Sequence, residues 1–242
     1  LYAQLKKDYD AVILASGAYQ PKIPPWPGKE KLVTSLDFLA KVNRGETVKT
    51  GKKVVVIGAG NTGMDVVFGA YRSGAKQVTA IDVQKPAAFD KEIEHAKKLG
   101  AKIHWPCYTK AITDKGVELS DGHIIEADTV IAAIGEVPVL DFIEDPHETE
   151  RGHLKVNEDY HLRDNVFSIG DLTKLGLLAD AIGHGREVAL VVDARFRKQT
   201  YTPQIKKVLA RNKVVTAYFD SVHEQCIGKT CKEVDRCISC GT

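Results

Sequence analysis

Three glycines, Gly58, Gly60 and Gly63, in the stretch Val54-Val-Val-Ile-Gly-Ala-Gly-Asn-Thr-Gly-Met-Asp65, carry the plainest chemical signal in this sequence. A glycine-lined turn between an apolar strand and a helix offers backbone N–H groups and the positive end of the helix dipole to a diphosphate. Gly58 permits the tight turn, Gly60 lets the backbone approach the diphosphate, and Gly63 lets the helix pack closely on the sheet. Asn61 and Thr62 open that helix beside them. Asp82 lies 19 residues beyond Gly63, where an acidic side chain accepts hydrogen bonds from an adenosine ribose. A ribose 2′-phosphate would meet like charge there, and no arginine follows, only Val83 and Gln84 and then Lys85. The pattern points to NAD(H) ahead of NADP(H), with Lys85 keeping the second open.

A second group of reactive residues sits at the other end. Of five cysteines, Cys226, Cys231, Cys237 and Cys240 fall in the last 17 residues. Cys237-Ile-Ser-Cys240-Gly reads as the opening of a bacterial ferredoxin motif, whose close spacing brings successive thiolates to adjacent irons of a [4Fe–4S] cluster. Two other readings stay open: a zinc site that also draws in Cys226 and Cys231, and a redox dithiol. Cysteines gathered in one tail of a thiol-poor chain suit a metal or cluster site in a reducing, cytoplasmic compartment rather than a disulfide framework. Cys107, alone after Pro106, is expected to be a small buried hydrophobe. The histidines (95, 104, 123, 147, 153, 161, 184 and 223) show no ligand or triad spacing, and neither a G-x-S-x-G elbow nor a P-loop occurs.

The elements that must position these groups alternate in type. Asp10–Ala15 is a short apolar strand ended by Ser16-Gly17. A proline-rich crossing follows (Pro21, Pro24, Pro25, Pro27), too rigid and donor-poor for helix or ladder. Ser35 is placed to cap a helix through Leu36, Phe38, Leu39 and Val42. Then come a strand at 54–57, a helix from after Gly60 to about Ser73, a strand at 77–82, a helix over 90–99 and a strand at 102–105. This order implies a parallel sheet with helices on both faces. Residues 108–126 alternate in short pieces around a Ser120-Asp121-Gly122 turn. Strands return at 128–134, ending at Gly135, and at 166–169, stopped by Gly170-Asp171, and a long helix runs from about Leu178 to Phe196.

The bulk properties exclude more than they assign. With 34 Lys and Arg against 32 Asp and Glu, the net charge of +2 gives no reason to expect nucleic acid or an anionic membrane as partner. No apolar run approaches the roughly 18–20 residues of a membrane span, so no membrane insertion is expected. The sequence opens with Leu1 and its one methionine is Met64, so a native start upstream is expected.

At these residues the chain resembles the two-dinucleotide-binding flavoproteins, and within them the small subunit of glutamate synthase and its relatives, including the amino-terminal electron-input part of dihydropyrimidine dehydrogenase. Tyr9-Asp-Ala-Val-Ile-Leu-Ala-Ser-Gly-Ala18 is similar to the family's exit strand from its FAD domain, and Asp128-Thr-Val-Ile-Ala-Ala-Ile-Gly135 to the exit from its NAD(P)H domain. Phe167-Ser-Ile-Gly-Asp171 is similar to the second FAD signature, whose Asp contacts the ribityl–pyrophosphate region. Ala181-Ile182 and Gly185-Arg186 fit the helix that begins beneath the isoalloxazine, and His184 lies nearby.

The resemblance implies an α/β fold in which a Rossmann-like NAD(P)-binding domain, a parallel sheet plus a β-hairpin or meander, is inserted in a partial FAD-binding domain. The implied division is 1–20 as the end of the first FAD half, 21–150 for NAD(P)H, 151–200 as the second FAD half, and 201–242 as a tail toward an iron–sulfur module. It implies hydride transfer from NAD(P)H to FAD and electron delivery to an electron-accepting subunit or ferredoxin-like module; assembly into an oligomer is left open. Two departures stand out. Val83-Gln84 replaces the family's arginine pair, and only one strand-borne G-x-G-x-x-G is present, so that alone the chain is expected to bind FAD poorly. Two rival functions are an NAD(H)-holding scaffold or sensor without turnover and a zinc-tailed dehydrogenase.

Overall fold

The computed structural model describes residues 1–203 and two short backbone segments, 226–227 and 230–231. In chain order the elements are α1 (Tyr2–Asp8), β1 (Val12–Leu14), β2 (Gln20–Pro21), β3 (Val33–Thr34), α2 (Ser35–Asn43), β4 (Lys53–Ile57), α3 (Asn61–Arg72), β5 (Gln77–Ile81), α4 (Asp90–Lys98) and β6 (Lys102–His104). There follow β7 (Thr109–Thr113), β8 (Gly116–Leu119), β9 (Ile124–Glu126), β10 (Thr129–Ala132), β11 (Glu136–Val137), β12 (Thr149–Glu150), β13 (His153–Leu154), β14 (His161–Arg163), β15 (Val166–Ser168) and α5 (Leu178–Phe196).

Five strands form one parallel sheet in the order β3-β10-β4-β5-β6. The run Val54-Val-Val-Ile57 suits its centre because stiff β-branched side chains pack well on a pleated surface. It is buried on both faces. Val54 and Val56 pack with Phe38, Met64, Val67 and Ala70 under α2 and α3, with Ala96 of α4 in the same cluster. Val55 and Ile57 face the other way, against Ile112, Val117 and Leu119 of the antiparallel sheet β7-β8-β9. Each fully buried Val or Ile contributes about 1.5–3 kcal/mol.

The helices therefore lie on one face, not both as the sequence order suggested. Successive right-handed crossovers that advance in one direction, β4 to β5 to β6, put their helices on the same side. The return from β6 to β10 runs through the three-stranded meander, which covers the second face without a helix. Two local expectations also shift. Thr34, not Ser35, caps α2: its Oγ1 accepts from the Asp37 N–H at 3.1 Å, while Ser35 Oγ donates to Glu136 at 3.2 Å. Pro21 does enter a ladder, because β2 pairs antiparallel with β11 in a two-stranded piece, where a proline without an N–H is tolerated.

The second sheet has the order β1-β15-β14, with β1 parallel to β15 and β14 antiparallel to it. Phe167 and Ile169 pack under Val188 and Val191 of α5. The opposite face is covered by Tyr2, Ile143, Leu154 and Leu172. Tyr2 is itself buried, and its hydroxyl donates to Asp145 at 3.0 Å.

Beyond residue 203, Cys226–Ile227 and Thr230–Cys231 pair antiparallel, with Cys226 and Cys231 as register partners. Cys237 and Cys240 lie outside the described residues. Among the described residues no helix is long and apolar enough to cross a membrane.

Candidate functional site

The glycine turn after β4 has the construction its sequence implied, and the three glycines are there for different reasons. Gly58 has φ +109°, donates its N–H to Ile81 O at 2.8 Å, and a Cβ on it would stand 2.2 Å from Ala133 O. A Cβ on Gly63 would stand 2.1 Å from Gly58 O, so helix and turn touch through backbone alone. Gly60 has an ordinary φ of −80° and nothing within 4 Å of its would-be Cβ. Two glycines close the turn on itself; the third faces open space. Gly60 is also the N-cap of α3 and supplies no side-chain cap, so the first N–H groups of the helix are left for an external acceptor.

Asp82 follows β5 at the mouth of this crevice and does more than the spacing rule proposed. Its Oδ2 accepts from the Ala59 N–H at 2.8 Å and its Oδ1 from the Gln84 N–H at 3.1 Å. The carboxylate thus braces the glycine turn, and any ribose would bind to the remaining lone pairs. Asn61 is likewise engaged, accepting from the Phe89 N–H at 3.0 Å and tying α3 to the loop after β5. Thr62 is half-buried, while Val83, Gln84 and Lys85 are exposed. A cavity of about 260 Å³ opens on the meander side beside Ile57, Gly58 and Asp82, walled by Trp26, Val83 and Cys107. Cys107 is half-buried and packs on the meander core, and burial pushes its thiol pKa up.

The second sheet carries the other candidates. Ile169 N donates to Leu14 O at 3.0 Å, so Ser16-Gly17 after β1 and Gly170-Asp171 after β15 leave the carboxyl ends of adjacent parallel strands. Gly17 has φ +72° with nothing within 4 Å of a would-be Cβ, and Gly170 has φ +65° with the Ala181 Cβ at 3.8 Å. Asp171 Oδ1 accepts from the Gly176 N–H at 3.1 Å. Ala181 is half-buried, whereas Ile182 is 65% exposed on the first turns of α5. Gly135, with φ +96° and open space around it, lies between the sheets on a cleft of about 510 Å³ shared with Lys22, His153, Thr173 and Lys174. These glycine exits and Asp171 form the kind of strand-end crevice in which open α/β sheets bind ligands.

Two histidines touch this second crevice: His184, already noted beside the helix in sequence, and His153, which was not singled out. His184 Nδ1 accepts from the Gly170 N–H at 3.3 Å, and His153 Nδ1 is bonded to Asp171 O at 2.9 Å. Their partners are backbone atoms 14 and 18 residues away, so motif spacing could not have given these bonds. The His184 ring rests on Tyr160 (centroids 5.2 Å apart), whose hydroxyl donates to Glu187 at 2.7 Å. Burial, and then the Glu187 carboxylate, push the Tyr160 pKa up to about 12. Among the described residues no group of three or more His, Cys, Asp or Glu could hold a metal ion.

A parallel sheet with a strand–glycine turn–helix crevice, joined through Gly135 to a second sheet with its own glycine exits, defines a nucleotide-dependent flavoprotein oxidoreductase fold. The family model for pyridine nucleotide-disulphide oxidoreductases matches residues 3–195, and the chain belongs to that family of NAD(P)H-dependent flavin oxidoreductases. It is 32% identical over 176 residues to the NADPH-Fe(3+) oxidoreductase subunit beta of Geobacter sulfurreducens, covering 59% of this chain and 26% of that protein. It is 28% identical to the glutamate synthase [NADPH] small chain of Azospirillum brasilense, covering 83% of this chain and 52% of the relative. The chain thus spans between about a quarter and about a half of these relatives' lengths. Among solved structures, the thioredoxin reductase of T. acidophilum shares the fold with a TM-score of 0.63 at 22% identity, over 77% of this chain and 66% of that one. Among residues 1–225 of this sequence, Cys107 is the one cysteine.

Proposed function

We propose that this chain is the pyridine-nucleotide-docking part of a flavoprotein that takes electrons from NADH and passes them to an iron–sulfur acceptor. The observation that carries the reading is the contrast among the three glycines: Gly58 and Gly63 are locked by contacts under 2.3 Å to any added Cβ, while Gly60 faces open space at an uncapped helix N-terminus. In this reading the backbone N–H groups at the start of α3 hold the diphosphate, and Asp82 accepts from the adenosine ribose while its other lone pairs brace the turn. Ser16-Gly17, Gly170-Asp171 and the Ala181–Ile182 turn face the flavin, and Gly135 borders the cleft between the two nucleotides. When both are bound, the nicotinamide supplies a hydride and the flavin accepts it. The chain's own residues orient the two and exclude water; none need act as acid or base.

Two finer assignments belong to the same reading. Asp82 with the exposed Val83 and Gln84 favours NADH over NADPH, although both relatives above are named for NADPH, and Lys85 is the one cation close by in sequence. Cys237 and Cys240 are assigned to a [4Fe–4S] cluster or a zinc site, with Cys226 and Cys231, opposite each other in strand register, as further ligand candidates. The acceptor would be a partner subunit or a ferredoxin-like module, by analogy with relatives that are subunits of larger redox enzymes.

Calorimetric titration of the chain with NADH and NADPH tests the docking. Binding of NADH that disappears in Gly60→Val is the expected result; binding of neither nucleotide overturns it. A flavin absorbance bleached by NADH in the complete gene product supports turnover, and a colourless product that still binds NADH leaves a scaffold or sensor in its place.

A further inference from the structure

We propose that His153 and His184 act as a pair of positioning residues that clamp successive residues of the Gly170-Asp171 turn and so set its geometry toward the flavin; this rests on the reading of that turn as a flavin contact. The backbone leaves little choice about the state of either ring. An amide N–H can only donate, so His184 Nδ1, 3.3 Å from the Gly170 nitrogen, must present a bare lone pair and carry its hydrogen on Nε2. A carbonyl can only accept, so His153 Nδ1, 2.9 Å from Asp171 O, must carry a hydrogen. The two histidines grip successive residues with opposite hydrogen-bonding roles, and no other residue type offers a rigid ring with either option.

The surroundings of each ring fix it in place, and part of that comes at a conformational cost. His153 belongs to the hairpin β12–β13, whose turn puts Arg151 at φ +52° and Gly152 at φ +86°. The left-handed region is natural for the glycine and strained for the arginine. Tyr160, which supports the His184 ring, has φ +59° and is held by its N–H to Asn157 O (3.1 Å), by its carbonyl accepting from Ser168 N (2.9 Å), and by its hydroxyl on Glu187. Strain of this kind persists where the surrounding structure over-determines a residue, and it gathers at ligand clamps. Of the four non-glycine residues with positive φ among the described residues, Arg151 and Tyr160 belong to the supports of this turn, while Asp164 and Lys198 do not. The rest of that turn is closed internally, with the Thr173 N–H and Oγ1 both reaching Gly170 O at 2.9 Å and Gly176 N reaching Asp171 Oδ1. The Gly170 N–H and the Asp171 C=O both find their partners outside the turn, and the histidines are those partners.

The test separates the hydrogen bonds from mere bulk. In asparagine the side-chain oxygen stands near the position of a histidine Nδ1 acceptor, and the amide nitrogen near that of an Nδ1–H donor. Amide hydrogen exchange on this chain reads the clamp directly: Gly170 exchange accelerates at least tenfold in His184→Leu and returns to within threefold in His184→Asn. Flavin affinity of the complete gene product, read by fluorescence quenching, falls at least tenfold in His184→Leu and His153→Leu and is restored in His184→Asn and His153→Asn. Unchanged Gly170 exchange in His184→Leu overturns the clamp, as does equal loss of affinity in the leucine and asparagine variants. If exchange responds but affinity does not, Asp171→Ala decides: lost flavin binding there refutes the positioning role, and retained binding refutes the flavin reading of the turn itself.

Discussion

Replacing Gly60 by alanine should separate two quantities that usually move together. The residue has φ −80° and ψ −173°, extended backbone that alanine adopts freely, and no atom lies within 4 Å of the new Cβ. Alanine in place of glycine at a compatible site stabilises by about 0.4–1 kcal/mol through the unfolded chain. Gly60 is also the N-cap of α3, where alanine is worse than glycine by a few tenths to about 1 kcal/mol. The terms oppose, so the fold should change by less than about 1 kcal/mol, or within about 4 °C of melting temperature for a chain of this size. Nucleotide binding should behave otherwise, because the methyl group occupies the approach of the diphosphate to the α3 N–H groups. A tenfold or greater rise in the NADH dissociation constant is expected, about 1.4 kcal/mol or more. Gly63→Ala is the control: its Cβ would lie 2.1 Å from Gly58 O, and that carbonyl belongs to a turn pinned by the Gly58 N–H to Ile81 O. Overpacking of this kind costs about 1–3 kcal/mol and should lower the melting temperature by several degrees. Scanning calorimetry and isothermal titration on the two variants give all four numbers. Unimpaired NADH binding by Gly60→Ala, or a melting loss as large as that of Gly63→Ala, would refute the reasoning.

Three further outcomes follow from individual side chains. Asp82→Asn keeps one acceptor for the Ala59 and Gln84 N–H groups and loses the charge; since a hydrogen bond to a charged group is worth about 1.5–3 kcal/mol, titrations should show NADH affinity falling about tenfold and the NADH-to-NADPH affinity ratio falling with it. Asp128 accepts from the Lys53 and Lys52 N–H groups at 2.8 and 2.6 Å, and those two bonds hold its carboxyl below the usual carboxylate range. A depressed carboxylate stabilises above its unfolded pKa of about 3.9 and less as pH falls through the folded value, so Asp128→Asn should melt lower than the parent at pH 7 and converge with it in acid. Burial, and then the hydrogen bond to Asp145, push the Tyr2 pKa up to about 12. That raised value stabilises fully below the ordinary pKa of 10 and is lost as pH rises through 12, so alkaline melts of the parent should fall more steeply between these values than those of Tyr2→Phe, which keeps the raised Tyr160.

The parts of this fold readable in the residues are those governed by local pattern. The β-branched run at 54–57, the amphipathic stretch after Gly60 and the apolar stop at Gly170 each announce an element within a residue or two of its observed bounds. The side of the sheet on which a helix lies is not local, since it depends on the direction in which strand order advances, and β10 joins β4 only after a meander of three strands. The paired pieces β2–β11 and β12–β13 were equally hidden. Two-residue ladders have no periodicity to read; tertiary contact decides them.

The site shows the same division with one instructive overlap. The motif already gave Gly58, Gly60 and Gly63 different roles, and the structure adds the contacts behind them: a side chain would be forced onto backbone at Gly58 and Gly63 and would meet nothing at Gly60. Asp82 was legible by its distance from Gly63, but its bond to the Ala59 N–H was not. That bond changes what the residue means. An acid that merely read the ribose could be exchanged to alter coenzyme choice without touching the diphosphate crevice, whereas one that also braces the turn couples the two. Raising NADPH affinity should therefore need an arginine added near Val83 or Gln84 with Asp82 retained, and the same arginine introduced together with Asp82→Ala should bind both coenzymes less tightly than that single substitution does. Comparable affinities in those two variants, measured by titration with each nucleotide, would show that Asp82 does not act through the turn.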